Sequence, residues 1–566
     1  MLIKPSHYDD EGYVIQWGRS AIPSNSLAAL NALAMDCAAR QVLGEDIRIY
    51  VEIYDETNAV IPTKRIIQRI QNGCGGMIGF VGVQTNQFPR SLDLGKPFLE
   101  ADIPVVIGGF HVSGCFTMLK TMPPDIQQAL ADGFTLIAGE AEGQLDAILK
   151  DAYEKRLKSS YDFLANTPNL EGVPPPILPA SLVKRTFRRL SSFDAGRGCP
   201  FQCSFCTIIN VQGRTSRSRS ADDIEALIRA NLQQGVWRFF ITDDDFARNK
   251  DWEPILDRMI QIRETEGLQL SLIIQVDTLC HKIPRFIEKA VRAGCHNIFL
   301  GLESLNPESL VGAKKRQNKI GEYRKMLQAW KSYGCTTAVG YILGFPADTP
   351  SSIAHDIEIL KKELPVDIVE FFILTPLPGS EDHQQLYERG VWMEPDMNAY
   401  DLEHVTIAHP LMTKVELAEV YRTAWRSYYT WDHMEILMRR AAASGEPVVK
   451  LMFLLFCFYG CIMLEGIHPL EGGVVRWRGR RSRRPGMPVE PAWTFYPQQI
   501  WSAFRTGWQW CALGWKLNQL RRKVENDPSK LQYSDVSLTP TSGESEDQLD
   551  LYQTYGPLLT VKSLAK

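Results

Sequence analysis

Two hydrophobic periodicities alternate along this chain. Short runs of β-branched and aromatic residues read as buried strands, and the stretches between them carry apolar residues at helical spacing. In the first third, Ile47–Tyr54, Met77–Val83, Pro104–Ile107 and Thr135–Ala138 have strand character. Thr63–Gln71, Arg90–Glu100, Pro124–Ala131 and Glu142–Glu154 have helical character. Ahead of the first clear strand, Leu27–Ala38 is apolar at helical spacing behind the capping run Ser24-Asn25-Ser26. Strand–helix alternation with short connections predicts a doubly wound, Rossmann-like parallel sheet over residues 1–155. Across 156–189 the periodicity lapses, and Pro168, Pro174, Pro175, Pro176 and Pro179 mark a linker.

The rhythm then resumes. Leu190–Ala195, Trp237–Thr242, Leu268–Val276, Asn297–Gly301, Thr336–Leu343 and Ile368–Leu374 read as strands. Ser220–Gln234, Trp252–Glu266, Pro284–Ala293, Glu322–Tyr333 and Ser351–Leu364 read as the helices between them. Ser220 suits an N-cap, and Asp222 and Asp223 suit a first turn electrostatically. These βα-like units predict, over residues 190–400, a partial (β/α)6 barrel open on one side and related to the closed eight-fold barrel. Residues 401–525 read as a helical C-terminal domain, and the polar, acidic 526–566 as a disordered tail.

Composition narrows the class. At 566 residues, 45% hydrophobic and 23% charged, the chain can build several cored domains. A net charge of −4 argues against a general nucleic-acid binder. Met1–Asp10 has no apolar signal-like run. Twelve cysteines in so long a chain are not a disulfide framework.

Three of those cysteines, Cys199, Cys203 and Cys206, stand as C-x3-C-x2-C in the loop Gly196–Thr207, after the strand-like Leu190–Ala195. Three thiolates on one tight loop suit an iron–sulfur cluster, and a four-iron cubane then keeps one iron open for chemistry. The alternative is a zinc knuckle, but no fourth ligand follows before Cys280 and His281. A cluster loop needs reducing conditions, which points to the cytoplasm.

The loop resembles the signature of the radical S-adenosylmethionine (radical SAM) superfamily. That resemblance implies a [4Fe-4S] cluster whose open iron chelates S-adenosylmethionine. Reductive cleavage then yields methionine and a 5′-deoxyadenosyl radical, with a reductase such as flavodoxin or ferredoxin as electron donor. It implies that Phe205 lies against the adenine. The second-strand residues Thr242 and Asp243 would meet the SAM amino group, and Glu303 and Ser304 its ribose or carboxylate. Gly340, Ile342 and Gly344, a G-x-I-x-G strand, would back the adenine. Asp243, Asp244 and Asp245 also admit a Mg2+ site or a helix-capping role. Lys314-Lys315-Arg316 reads as a solvated helix face, with a SAM carboxylate or acidic substrate as the sharper alternative.

The glycines at the strand ends of the first domain, Gly82, Gly108, Gly109 and Gly139, allow tight turns or close approach to a ligand. With Gln84-Thr-Asn-Gln-Phe-Pro89, Val105–His111 and Gly139-Glu140-Ala-Glu142, the domain resembles the cobalamin-binding domain that precedes many radical SAM barrels. By that resemblance Gln84, Thr85, Gly108, Gly109, His111 and Gly139 would hold cobalamin. The D-x-H-x-x-G turn of free-standing cobalamin domains is replaced by Asp55–Val60, without His, which implies no His ligand to cobalt. A loop His such as His111 more often makes hydrogen bonds. The resemblance implies methyl transfer to an unactivated carbon of a small, lipid-like substrate. Alternatives are radical cyclisation or rearrangement of the tetrapyrrole type, and an iron–sulfur electron-transfer or sensor protein. Methylthiolation of tRNA is disfavoured because Cys37, Cys74 and Cys115 are dispersed.

Leu451–Leu464 is fourteen uncharged residues, short of a bilayer span of about 18–20. Six arginines follow in Arg476–Arg484, and Trp501, Phe504, Trp508 and Trp515 share one helical face. These features fit either a peripheral membrane anchor or a helical cap packed on the barrel.

Overall fold

The computed structural model describes residues 1–73, 75–540 and 548–554. Seven strands arise in the first 162 residues: β1 (Leu2–Lys4), β2 (Gln16–Ser20), β3 (Ile53–Asp55), β4 (Ile78–Phe80), β5 (Val105–Gly108), β6 (Thr135–Ala138) and β7 (Ser160–Asp162). Six of them form a parallel sheet in the order β3-β1-β4-β5-β6-β7. The doubly wound expectation holds, with two differences. The N-terminal Leu2–Lys4 is an interior strand, too short to show a period, whose Ile3 is fully buried. The sheet also reaches into the expected linker, because Ser160–Asp162 adds its last strand. Conversely, only Ile53–Asp55 of the long Ile47–Tyr54 run pairs.

The chain then enters the barrel. Two short strands, β9 (Gly196–Arg197) and β10 (Arg217–Ser218), follow β8 (Leu190–Phe193) and pair antiparallel. The barrel continues with β11 (Arg238–Ile241), β12 (Ser271–Val276), β13 (Cys295–Glu303), β14 (Thr336–Leu343) and β15 (Ile368–Ile373). Its order is β15-β14-β13-β12-β11-β8, all parallel and open between β15 and β8. Ser220 and Asp223 form a reciprocal capping box on the helix Ala221–Gln233, as the sequence signals.

Beyond the barrel, helix Lys414–Tyr428 packs on β15 and on helix Pro350–Lys362, while helices Trp431–Ala443, Val448–Gly460 and Ala492–Glu525 pack on one another. Val448–Gly460 continues through a π-turn to Glu465, so Val448–Glu465 is 18 residues, long and apolar enough to cross a membrane by length and composition. Here it packs between its neighbouring helices and turns Phe453, Leu454 and Cys457 toward the barrel interior. β16 (Gly473–Trp477) pairs antiparallel with β2, tying the C-terminal region to the N-terminal segment around the buried Trp17. The arginine run is not a free basic patch. Arg476 and Arg478 each bind Asp9 at 2.7 Å, Arg484 binds Asp396, and Arg483 donates to Glu11 O. The tail from Asn526 is ordered where described. Asp535 pairs with Arg440 at 2.7 Å, Val536 O and Thr539 O accept from Arg324, and Leu551 N donates to Glu363. Buried arginine and glutamate partners hold it, which its polar composition could not reveal; the remainder of that expected tail lies outside the described residues.

Candidate active site

Local backbone geometry holds the cysteine loop first. Asp243, at the end of β11, accepts from Ala195 N at 2.7 Å and Gly196 N at 2.9 Å through Oδ1, and from Asn249 Nδ2 at 2.9 Å through Oδ2. Burial pushes its carboxyl up to about 7 against those hydrogen bonds. Oδ1 of Asp243 therefore braces the root of the loop and Oδ2 is held by Asn249, which corrects the expectation that this side chain points at a SAM amino group. Thr242, its neighbour, spends its amide on Phe193 O. At the loop's tip, Ser204 N donates to Ala313 O at 3.0 Å and Asp382 N donates to Ser204 O at 3.1 Å. Cys203 is buried, Cys199 and Cys206 are half-buried, and Gln317 Nε2 lies 3.4 Å from Cys203 Sγ. Burial pushes the Cys199 and Cys206 thiols up to about 12, so a metal must displace their protons on binding.

Among the described residues no three Cys, His, Asp or Glu side chains converge on one point. In a cubane each of the three cysteines would hold a different iron. Phe205 packs edge-on to Phe345 at 6.4 Å, with Lys315 Nζ 5.7 Å from its ring centroid. Lys315 is half-buried and ion-paired with Glu303, which corrects its reading as a solvated lysine. Glu303 itself sits in left-handed backbone, φ +63°, at the end of β13. Lys314, by contrast, stays on the surface with Glu381. Ser304 is buried and its Oγ accepts from Asn306 N. Along β14, Gly340 packs against Phe299, Ile342 lines the cavity, and Gly344 N donates to Asp348.

The carboxyl edge of the first sheet docks on this loop. The helix Phe110–Met118 presents Gly114, where a Cβ would stand 2.1 Å from Pro378 O beyond β15. Thr117 Oγ1 reaches Asn210 O, and Asn210 Nδ2 donates to Gly379 O at 2.8 Å. Arg197, two residues before Cys199, binds Glu140 at 2.6 Å, Glu142 at 2.7 Å and Asp194 at 3.0 Å; Arg217 also binds Glu140. The Gly139–Glu142 turn thus contributes two carboxylates to the domain interface.

The other residues of that edge divide. Gln84 is exposed and Gly108 ends β5. Gly109 is required by packing, since a Cβ there would stand 2.1 Å from Val83 N, and Gly139 N donates to Ser113 Oγ. His111 is on a helix, not in a loop, and fully buried. Its Nε2 meets Asp125 at 2.8 Å, its Nδ1 faces Thr85 Oγ1 at 3.4 Å, and its ring lies 4.4 Å from Phe88. With both nitrogens engaged inside the domain, His111 is not free to coordinate cobalt, and Thr85 is buried beside it. Gln84, Gly108 and Gly139 are left as the residues that could hold a cobalamin tail.

A cavity of about 1850 Å³ extends from the barrel interior out to the C-terminal helices, where Phe456, Arg505 and Trp510 line it. It runs from Phe205, Glu303 and Gln275 at the strand carboxyl ends to Trp237, Leu270 and Thr336 at the amino ends. Glu370 on β15 faces it with Oε2 unpartnered, and burial pushes that carboxyl up to about 8. Sequence reading favoured a solvated face for Lys315 and missed Arg197, Gln317 and Glu370. Only Glu370 carried a signal, a lone acid inside an apolar strand.

Comparison with known proteins agrees with the site. Residues 195–360 match the family model of the radical SAM superfamily. The chain is 26% identical over 388 residues to the bacteriochlorophyllide d C-8(2)-methyltransferase of Chlorobaculum tepidum, covering 64% of this chain and 79% of that protein. It is 25% identical over 321 residues to the hopanoid C-2 methylase of Rhodopseudomonas palustris, covering 56% and 58%. The solved structure of the cobalamin-dependent S-adenosylmethionine radical enzyme OxsB, with aqua-cobalamin bound, superposes with a TM-score of 0.52 at 16% identity, covering 95% of this chain and 82% of that one. Residues 195–360 form a radical SAM domain, and over nearly its whole length the chain is similar in fold to a cobalamin-dependent radical SAM enzyme.

Proposed function

We propose that the protein is a cobalamin-dependent radical SAM methyltransferase acting on an unactivated carbon of a bulky, apolar small molecule. The barrel cavity carries this reading. At about 1850 Å³ it exceeds the roughly 300–1,000 Å³ of common ligand pockets, and aromatic and aliphatic side chains dominate its wall. Relatives named for methylating a bacteriochlorophyllide and a hopanoid support the same substrate class.

The residues divide the work. Cys199, Cys203 and Cys206 would ligate the cluster, and Gln317 donates toward a sulfur there. When bound, the cluster and SAM supply a carbon-centred radical and cobalamin supplies a transferable methyl group. Lys315 and Glu303, paired beside Phe205, place one charge of each sign at the SAM end of the cavity. Asp243 and Arg197 hold the loop's root and the first domain in fixed relation, which a reaction shared between two cofactors requires.

Cytoplasmic localisation with peripheral membrane contact fits the Ala492–Glu525 helix, on which Trp501, Phe504, Trp508 and Trp515 are each more than 60% exposed. A low-potential flavodoxin or ferredoxin would serve as electron donor.

The test uses reconstituted protein, cobalamin, reductant, methyl-deuterated SAM and a lipid and pigment extract from a strain lacking the gene. Release of 5′-deoxyadenosine and S-adenosylhomocysteine, with deuterium in one extract component, is the expected result. Release of 5′-deoxyadenosine with no methylated product would move the protein to radical rearrangement, and release of neither nucleoside would refute the reading.

A further inference from the structure

The two ends of the barrel cavity differ in chemistry. Toward the amino ends of the strands it adjoins a smaller recess of about 300 Å³, lined by Arg19, Arg188, Arg189, Gly235, Trp237 and Arg238. Arg188, Trp237 and Arg238 line both spaces. The four arginines come from three separate segments: β2, the turn before β8, and the start of β11.

None of the four has a carboxylate partner among the described residues. This sets them apart from Arg197, Arg219 and Arg476, each of which is ion-paired. Aromatic rings position two of them instead. Arg188 lies 5.4 Å from the Phe453 centroid, and Arg238 lies 3.6 Å from that of Trp237. Arg238 Nη1 also donates to Arg188 O at 3.1 Å. Arg188 and Arg189 both occupy left-handed backbone, φ +53° and +54°, a conformation that costs energy for side-chain-bearing residues. Burial, and the charge of Arg188, hold the Arg238 guanidinium below its ordinary value. Positive charges gathered without counter-charge repel one another, and an anion in the recess reverses that repulsion.

Resting on the reading that the cavity holds the substrate, the geometry points to this recess as the binding site for the anionic head, phosphate or carboxylate, of an amphiphilic substrate whose apolar body fills the barrel. The six residues of β12 run from the recess side to the cluster side, roughly 17 Å at about 3.3 Å per residue. The reacting carbon would lie about that far from the head group. An apolar substrate without a charged end leaves the arginine recess without a function.

The probes are dodecyl phosphate below its micelle concentration, dodecanol, and inorganic phosphate. Their binding to the full-length, cluster-loaded protein is measured by calorimetry. Dodecyl phosphate should bind at least about tenfold more tightly than either of the others, the effect of charge-assisted hydrogen bonds. Arg188→Gln/Arg238→Gln should erase that advantage while leaving dodecanol affinity unchanged, which also reports that the variant is folded. If that pair does not fold, Arg19→Gln/Arg189→Gln, at exposed positions, should show the same selective loss. Equal binding of dodecanol and dodecyl phosphate overturns the proposal, as does full dodecyl phosphate affinity in the folded variants. Inorganic phosphate binding as tightly as dodecyl phosphate removes the link to the cavity and overturns it too. Loss of binding to phosphatidylglycerol vesicles alone, with dodecyl phosphate unaffected, would make the recess a bilayer contact and not a ligand site. The readout is an equilibrium without turnover. A protein that binds as expected yet releases no 5′-deoxyadenosine refutes the proposed reaction and leaves the head-group site standing.

Discussion

Glu370→Gln should make the barrel's stability less sensitive to pH. Along β15, Ile368, Glu370 and Phe372 line the cavity, while Val369 and Phe371 are buried on the opposite side. Glu370 is in register with Gly340 on β14, which offers no side chain, and its Oε2 has no hydrogen-bond partner. Burial alone raises its carboxyl from 4.5 to about 8. The fold therefore favours the protonated form. The resulting stability is fully present below pH 4.5 and is lost as the pH rises through about 8. Within that window each pH unit removes about 1.4 kcal/mol, a ceiling of about 5 kcal/mol. Glutamine keeps the shape and has no proton to lose. Urea unfolding of the barrel transition, for both proteins at about pH 5, 6, 7 and 8, should show the variant gaining on the parent by up to about 4 kcal/mol across the series. A difference that stays constant with pH would refute the reasoning, because the carboxylate would then be solvated or paired.

Two further outcomes follow from the site. Cys203→Ala should abolish the iron–sulfur absorbance after anaerobic reconstitution, since three cysteines are the minimum holding the cubane, and an intact cluster in that variant would contradict the assignment. Arg197→Gln leaves Glu140, Glu142 and Asp194 around a vacated cation, a loss of about 3–5 kcal/mol for a buried pair broken on one side; limited proteolysis should then cut faster between the first sheet and the barrel, and an unchanged cleavage rate would show the network to be dispensable.

Much of this protein is legible along the chain because the relevant signals are local. The helix Thr63–Gln71 and the strand Thr336–Leu343 have the bounds that their periodicities predict. The C-x3-C-x2-C spacing alone places three thiols on one loop, and the Ser220 capping box needs only residues three apart. Leu2–Lys4 escaped because three residues have no period, although the strand is interior to its sheet.

The tertiary structure decided which charged residues do what. Asp243 faces the loop's backbone amides, a role set by the register of β8 and β11. Lys315 left the surface because the end of β13 brings Glu303 to it, and Arg476, Arg478 and Arg484 are paired by Asp9, Glu11 and Asp396 from distant segments. The arginine recess joins β2 to the start of β11, more than two hundred residues later. Hydrophobic periodicity reports how each segment turns its faces over a few residues. Which charges meet depends on contacts between segments far apart in the chain, and the strength of each pairing depends on the burial that only the assembled fold creates.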